Sequence, residues 1–251
     1  MSGIEVRVLA DETAVAAAAA GMCAAWLRRR PNAVLGLATG STPVPTYSEL
    51  VRMHHEEGLS FAQAYTFNLD EYLGLAGDHE QSYRFFMQRC LFDRVNVRPY
   101  NTFLFDGTAS DPEQECLAFE AKIRALGGVD LWLLGIGGNG HIAFNEPGSD
   151  PESRSRVVAP HPETVAANSR YFADPSDVPQ LALTVGLATI LEGRSIALLA
   201  TGAHKAAAVA RAVEGSCVPD CPASLLQNHP DCTFLLDQAA ASHLTAIRER
   251  S

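Results

Sequence analysis

The chain has 251 residues, 47% of them hydrophobic and 19% charged, with a formal net charge of −10. A core of ordinary size is within its means and wholesale disorder is not indicated. The acidic balance argues against nucleic acid or an anionic membrane surface as a general partner. Six cysteines (Cys23, Cys90, Cys116, Cys217, Cys221 and Cys232) are scattered through a chain too long to need staples, so reduced thiols in a cytoplasmic protein are expected. Cys217-x-x-x-Cys221 with Cys232 is a weak metal pattern. No second pair supports it, and ordinary packing is favoured.

The pattern predicts a short strand over residues 5–9 and an alanine-rich helix over 12–30, stopped by Pro31. That helix has the apolarity of a signal peptide, but Asp11 and Glu12 precede it and Arg28-Arg29-Arg30 follow it. This is the reverse of the usual charge order, and it fits a helix macrodipole. The run is also too short to span a bilayer. A second buried strand over 33–38 leads into Thr39-Gly40-Ser41-Thr42-Pro43, and a helix follows over 44–57 with Gly58 as its C-cap. Hydroxyls, a glycine and free N–H groups at a helix start make a seat for an anion. A plain N-cap by Ser41 or Thr42 explains the same residues equally well.

A third strand over 65–69 ends in Asp70-Glu71. Two adjacent acids there read either as a solvated turn or as a carboxylate placed for chemistry. A helix over 82–95, a strand over 102–105 and a helix over 112–126 come next. The alternation predicts a parallel sheet with right-handed crossovers.

Residues 131–149, LWLLGIGGNGHIAFNEPGS, organise the rest. A short apolar strand runs into Gly135, Gly137, Gly138 and Gly140, then into His141, Asn145 and Glu146 before Pro147-Gly148. A buried strand ending in a glycine turn with a histidine and a carboxylate is where an open α/β sheet places its chemistry. The spacing also satisfies G-x-G-x-x-G. Phe144-Asn145-Glu146-Pro147-Gly148 cannot begin the helix a dinucleotide site needs, so the nicotinamide reading is disfavoured.

Between 149 and 180 five prolines and several Ser, Asp and Arg replace the regular pattern, which suggests a lid-like insertion. Within it, Asn168-Ser169-Arg170 is either a solvated patch or the source of a guanidinium for the site. Strands over 181–185 and 196–199 follow. The second enters Thr201-Gly202-Ala203-His204-Lys205 and a helix to Glu214, and Lys205 in a first helical turn opposes the dipole unless an anion is bound there. A strand over 233–236 and a helix over 238–250 close the chain.

The segments ATGSTP, TFNLDEYLGL, GIGGNGHIAFNEPG, AANSRYF, LALTVG and TGAHKA, in this order, resemble the glucosamine-6-phosphate deaminase family across nearly the whole chain. The resemblance implies a single domain over 1–251, Rossmann-like but modified, with an open, mostly parallel sheet, helices on both faces and a lid insertion at about 149–180. It implies conversion of glucosamine 6-phosphate and water to fructose 6-phosphate and ammonia, with no metal or organic cofactor. Asp70 then matches the base that moves a proton between C2 and C1. His141 matches the group that opens the sugar ring, with Asn139 and Glu146 holding its imidazole. Thr39, Gly40, Ser41, Thr42, Arg170 and Lys205 match the phosphate grip.

Two departures stand out. Many bacterial members carry aspartate where this chain has Asn139, and regulated members carry a basic residue and a threonine where it has Val158 and Ala159, although Arg156 matches. Allosteric control of the family kind is therefore in doubt. A galactosamine-6-phosphate deaminase is the nearest alternative. A 6-phosphogluconolactonase is further off, because its glycine turn continues differently. A sugar-phosphate-sensing regulator would need a helix-turn-helix domain, for which strand pattern from residue 5 leaves no room. The expected partner is a small amino-sugar phosphate, with no nucleic acid and no membrane. Assembly into a homo-oligomer stays open.

Overall fold

The computed structural model describes residues 3–169, 172, 174 and 177–245. One seven-stranded sheet dominates. Its strands are β1 (Ile4–Leu9), β2 (Val34–Leu37), β3 (Tyr65–Asn68), β5 (Thr102–Phe103), β6 (Leu131–Gly135), β9 (Ile196–Ala200) and β10 (Cys232–Asp237). They lie in the order β1-β10-β9-β6-β2-β3-β5, and every pairing is parallel. A second, three-stranded antiparallel sheet joins β4 (Asp70–Tyr72), β8 (Ala182–Thr184) and β7 (Arg156–Val158).

Side chains alternate along a strand, so a sheet covered on both faces needs apolar residues at every position. Strand β6 does this with Leu131 and Leu133 on one side and Trp132 and Leu134 on the other, all fully buried. The first pair packs with α1 (Glu12–Arg29) and α2 (Val44–Glu57). The second meets α4 (Pro112–Ala125), α6 (Leu187–Leu191) and α7 (Ala206–Glu214). Helix α1 reaches the sheet through Ala16, Ala19, Ala20 and Ala24, whose small side chains let the backbones approach closely. The Asp11 carboxylate caps its start by accepting Ala14 N–H at 2.8 Å, and Arg28 and Arg29 lie in its last turn. Gly58 is left-handed (φ +69°) at the end of α2, where a glycine C-cap belongs.

The two sheet edges are chemically different. At the N-terminal edge, fully buried Asp130 accepts Arg30 Nη1, Arg194 Nη1 and Val34 N–H, each at 2.8 Å, which ties three elements together. The C-terminal edge carries the loops described below. No described helix is long and apolar enough to cross a membrane. All six cysteines are free thiols.

Three local expectations needed correction. Asp70 and Glu71 form no solvated turn: both are buried in β4, because β8 and β7 supply a partner sheet that local sequence does not announce. The helix expected over 82–95 ends as α3 (Tyr83–Cys90) and tightens into a 3-10 turn at Phe92–Arg94. The stretch 238–244, expected to be helical, is a series of turns around Asp237, whose carboxylate accepts Ala240 N–H and Gly202 N–H. Within 149–180 the chain forms β7 and α5 (Pro162–Ser169).

Gly36 pairs with Trp132 across β2 and β6, and a Cβ there would lie 1.7 Å from the indole Cε3. Gly36→Ala should therefore cost roughly 3 kcal/mol or more by overpacking a rigid core. Gly21, inside α1, has open space around a Cβ. Gly21→Ala should instead stabilise by roughly 0.5–1 kcal/mol through helix propensity. Denaturant titration of the two variants checks this, and equal effects of one sign would contradict the assigned packing.

Candidate active site

The loops that follow β2, β3, β6 and β9 open onto one cavity of about 400 Å³ at the C-terminal edge of the large sheet. From β2 the chain runs to β3 and β5 on one side; from β6 it runs to β9 and β10 on the other. The neighbours β2 and β6 thus flank a topological switch point, where the loops diverge and leave a crevice. The cavity is lined by the 38–43 loop, Leu69 and Asp70, Tyr83, the 135–139 turn, His141, Ala143, Phe144, Thr164 and Lys205.

The 39–42 loop bends at Gly40 (φ +93°), and Tyr47 fixes its start by donating its hydroxyl to Ala38 O. Pro43 then stands at the N-cap of helix α2, with no side-chain hydrogen bond capping the helix. The reading of Ser41 or Thr42 as a plain N-cap is thereby removed. The first-turn N–H groups lack the usual side-chain acceptor, a favourable condition for an anion. Across the cavity Lys205 stands where α7 starts, and α7 likewise has no side-chain cap. Thr39, Gly40, Ser41, Thr42 and Lys205 are thus brought together. Arg170 lies outside the described residues.

Asp70 reaches the cavity because β4 turns away from β3 after Leu69 and pairs with β8, opposite Thr184. Val185 N–H bonds Leu69 O at 2.7 Å and Phe144 N–H bonds Thr184 Oγ1 at 3.2 Å, so the small sheet is fastened to both site loops. Burial, with the charge of neighbouring Glu71 added, pushes the Asp70 carboxyl up to about 8. Glu71 points elsewhere. Its oxygens accept N–H groups of Tyr72 and Tyr83 at 2.9 Å and of Arg84 at 3.0 Å, so it closes the start of α3. One of the two adjacent acids faces the cavity and the other serves the fold.

The glycine turn after β6 is tight: Gly140 N–H bonds Gly137 O at 3.0 Å and Gly137 N–H bonds His141 O at 2.9 Å. No helix follows it, as expected for a sequence that only imitates a dinucleotide fingerprint. Glycine is required at 137 because a Cβ would lie 2.2–2.5 Å from the His141 ring atoms. At 140 it supplies φ +93° and clears Cys221 Sγ. The imidazole Nδ1 sits 3.3 Å from Glu146 Oε2.

Asn139 occupies a different place from the one expected. Its Oδ1 accepts His141 backbone N–H at 3.1 Å and its Nδ2 donates to Glu146 Oε2 at 2.7 Å. It shapes the turn and steadies the carboxylate, while Glu146 is the side chain beside the imidazole. Burial alone would raise the Glu146 carboxyl. The imidazole of His141 beside it, with bonds from Thr164 and Asn139, outweighs that and holds it at about 2.

Local sequence reasoning missed Tyr83, Ala143 and Thr164 as cavity residues. Ala143 adopts φ +51°, unusual for a residue with a side chain, at the bend that presents His141. No local pattern flags Tyr83 and Thr164, which reach the cavity through tertiary packing. Among the described residues no group of three or more His, Cys, Asp or Glu side chains is placed to hold a metal ion.

Residues 9–235 match the family described as glucosamine-6-phosphate isomerases/6-phosphogluconolactonase. Glucosamine-6-phosphate deaminase 1 of Giardia intestinalis is 56% identical over 215 residues, 85% of this chain and 81% of the relative. A glucosamine-6-phosphate deaminase of Rhodopirellula baltica is 52% identical over 241 residues, 96% of each chain. Among solved structures, a monomeric glucosamine-6-phosphate deaminase superposes with a TM-score of 0.94 at 44% identity, over 95% of this chain and 99% of the other. On a match that runs from β1 to β10, the chain belongs to the family of glucosamine-6-phosphate isomerases and 6-phosphogluconolactonases.

Proposed function

We propose that this chain converts glucosamine 6-phosphate and water to fructose 6-phosphate and ammonia in the cytoplasm. The observation that carries the reading is the meeting of three features in one cavity: buried Asp70, the His141–Glu146 pair, and a helix start without a side-chain cap facing Lys205. The naming of the most similar relatives as deaminases supports the same conclusion.

The phosphate is held by the 39–42 loop, the start of α2 and Lys205, with Arg170 in the part the resemblance implies. Charge-assisted bonds to one end of the sugar fix the other end against the reacting groups. His141 accepts the anomeric hydroxyl proton and returns a proton to the ring oxygen, which opens the pyranose. Glu146 keeps the ring oriented, and Asn139 steadies Glu146. Asp70 then removes the C2 proton and delivers it to C1. The electron pair left at C2 becomes the C1–C2 double bond of an enolamine as the carbonyl π pair moves onto O1, which takes a proton given up by the substrate's ammonium group; protonation at C1 then draws the amino lone pair into a C2–N double bond, an imine. Water adds to that imine and ammonia departs, leaving the ketone of fructose 6-phosphate. These residues supply acid–base chemistry throughout, and no cofactor is assigned a step. The 149–180 segment acts as a lid that covers the sugar.

A buried carboxyl at about 8 is mostly neutral in the free protein at pH 7. The cationic 2-amino group of the substrate would favour its ionised form on binding. Substrate therefore helps to make its own base.

The assembly proposed is a monomer, in line with the solved relative. The homo-oligomer left open by the sequence is the less favoured option. Arg156, the one retained member of the regulatory set, donates to Asn145 Oδ1 at 2.9 Å and Ser149 Oγ at 3.4 Å, so it is already engaged inside the fold. Saturation by substrate should be hyperbolic and unaffected by N-acetylglucosamine 6-phosphate. A sigmoidal curve that this sugar phosphate straightens would contradict the proposal.

Asp70→Asn tests the base directly. Turnover should fall roughly 10²–10⁴-fold, and exchange of the C2 hydrogen with deuterated water should fall with it. Exchange at the wild-type rate would remove Asp70 from the role. The same variant should gain stability. An unfolded aspartate titrates near 4 and the folded one at about 8. Between those values the unfolded chain releases a proton that the folded chain keeps, so stability declines as pH rises. Asp70→Asn should thus be more stable than wild type by on the order of 2 kcal/mol at pH 8–9, with little gain at pH 4. Thermal melts across that range check the sign.

Lys205→Ala should raise KM for glucosamine 6-phosphate by roughly 10-fold or more through loss of a charge-assisted bond. Discrimination against unphosphorylated glucosamine should shrink accordingly. Unchanged KM and unchanged discrimination would move the phosphate elsewhere.

A further inference from the structure

Glu146 is gripped from two directions. Its Oε2 receives Asn139 Nδ2 at 2.7 Å and lies 3.3 Å from His141 Nδ1. Its Oε1 receives the Thr164 hydroxyl at 2.6 Å and the His161 backbone N–H at 3.3 Å. Those two donors belong to the first turn of α5 and the residue before it, in the 149–180 segment, whereas Glu146 belongs to the loop after β6. Thr164 is buried on a turn whose neighbours His161 and Pro162 are exposed, and it lines the cavity. Its hydroxyl is directed across to the carboxylate of another loop.

The backbone on which Glu146 stands is already fixed. Neighbouring Asn145 donates to Ile142 O at 3.0 Å and Val185 O at 2.9 Å and accepts from Arg156. What remains to be set is the terminal torsion of the Glu146 side chain, which is intrinsically broad. Asn139 alone holds one oxygen and leaves the other to turn about it. The bond from Thr164 removes that freedom and keeps Oε2 against the imidazole.

We propose that Thr164 is a positioning residue, a clamp through which the first turn of α5 locks the Glu146 carboxylate against His141. The clamp rests on the functional reading above for its effect on turnover, but not for its effect on α5. It makes the first turn of α5 part of the acid–base apparatus. Through it the position of α5 and the orientation of the histidine are linked.

The experiment combines Thr164→Val, Thr164→Ser and Glu146→Ala in the full chain. Thr164→Val keeps the shape and deletes the hydroxyl. It should lower kcat roughly 10- to 100-fold, as expected for a hydrogen bond to a charged group, while KM changes less than about 2-fold. Thr164→Ser should restore most of kcat. Hydrogen–deuterium exchange of the 162–169 amides gives a reading independent of turnover. Thr164→Val and Glu146→Ala should each accelerate it, and the double variant should be no faster than Glu146→Ala alone, because that substitution already removes the bond Thr164→Val deletes. Unchanged kcat in Thr164→Val, a serine variant as impaired as the valine, or additive exchange effects would each overturn the clamp. If wild type releases no ammonia from glucosamine 6-phosphate, the functional reading fails, and the exchange cycle still decides whether the clamp exists.

Discussion

The site depends on a single topological constraint: β2 and β6 lie side by side while the chain leaves them in opposite directions. Loops after neighbouring parallel strands normally crowd one another, and only at such a divergence does a crevice form without a cavity being cut into the core. The pairing of Gly36 with Trp132 fits that junction, since any side chain on Gly36 would collide with the indole. From this seam the loop after β2 brings a helix start and the loop after β6 brings a histidine. The divergence of β4 from β3 brings a carboxylate. None of these residues is near the others in sequence.

Electrostatics then separates two carboxylates that a sequence treats alike. Asp70 sits among apolar neighbours beside another acid and rises to about 8. Glu146 sits beside a histidine, an amide and a hydroxyl and falls to about 2. Pairs pushed apart in this way are where acid–base roles are sought. Asp130, equally buried but saturated by two arginines and an amide at the opposite edge, shows the structural use of the same side chain.

Much of the large sheet was legible in the sequence because its strands are short apolar runs between glycine and proline punctuation, and its helices carry readable ends. The C-cap at Gly58, the acids and bases flanking α1 and the helix-free turn after β6 follow from local chemistry. Of the small sheet only β8, expected as a strand over 181–185, was legible; β4 and β7 were not. Its strands of three residues each find their partners about 112 residues away for β4 with β8, and about 26 away for β7 with β8, so the burial of Asp70 and Glu71 has no local signature. Asn139 shows the same limit on a smaller scale. Its place in the glycine turn was clear, but which neighbour its amide would reach depended on where the carboxylate of Glu146 was pulled, and Thr164 pulls it from a different segment. Residues that act through a backbone turn are readable, whereas residues that act through another side chain need the fold.

This protein removes ammonia from a phosphorylated amino sugar. The most direct test presents the purified protein, in parallel, with glucosamine 6-phosphate, galactosamine 6-phosphate and 6-phosphogluconolactone, and follows ammonia release and lactone hydrolysis. Ammonia and fructose 6-phosphate are expected from the glucosamine compound, with slower release from its epimer and no accelerated lactone opening. Lactone hydrolysis without ammonia release would contradict it.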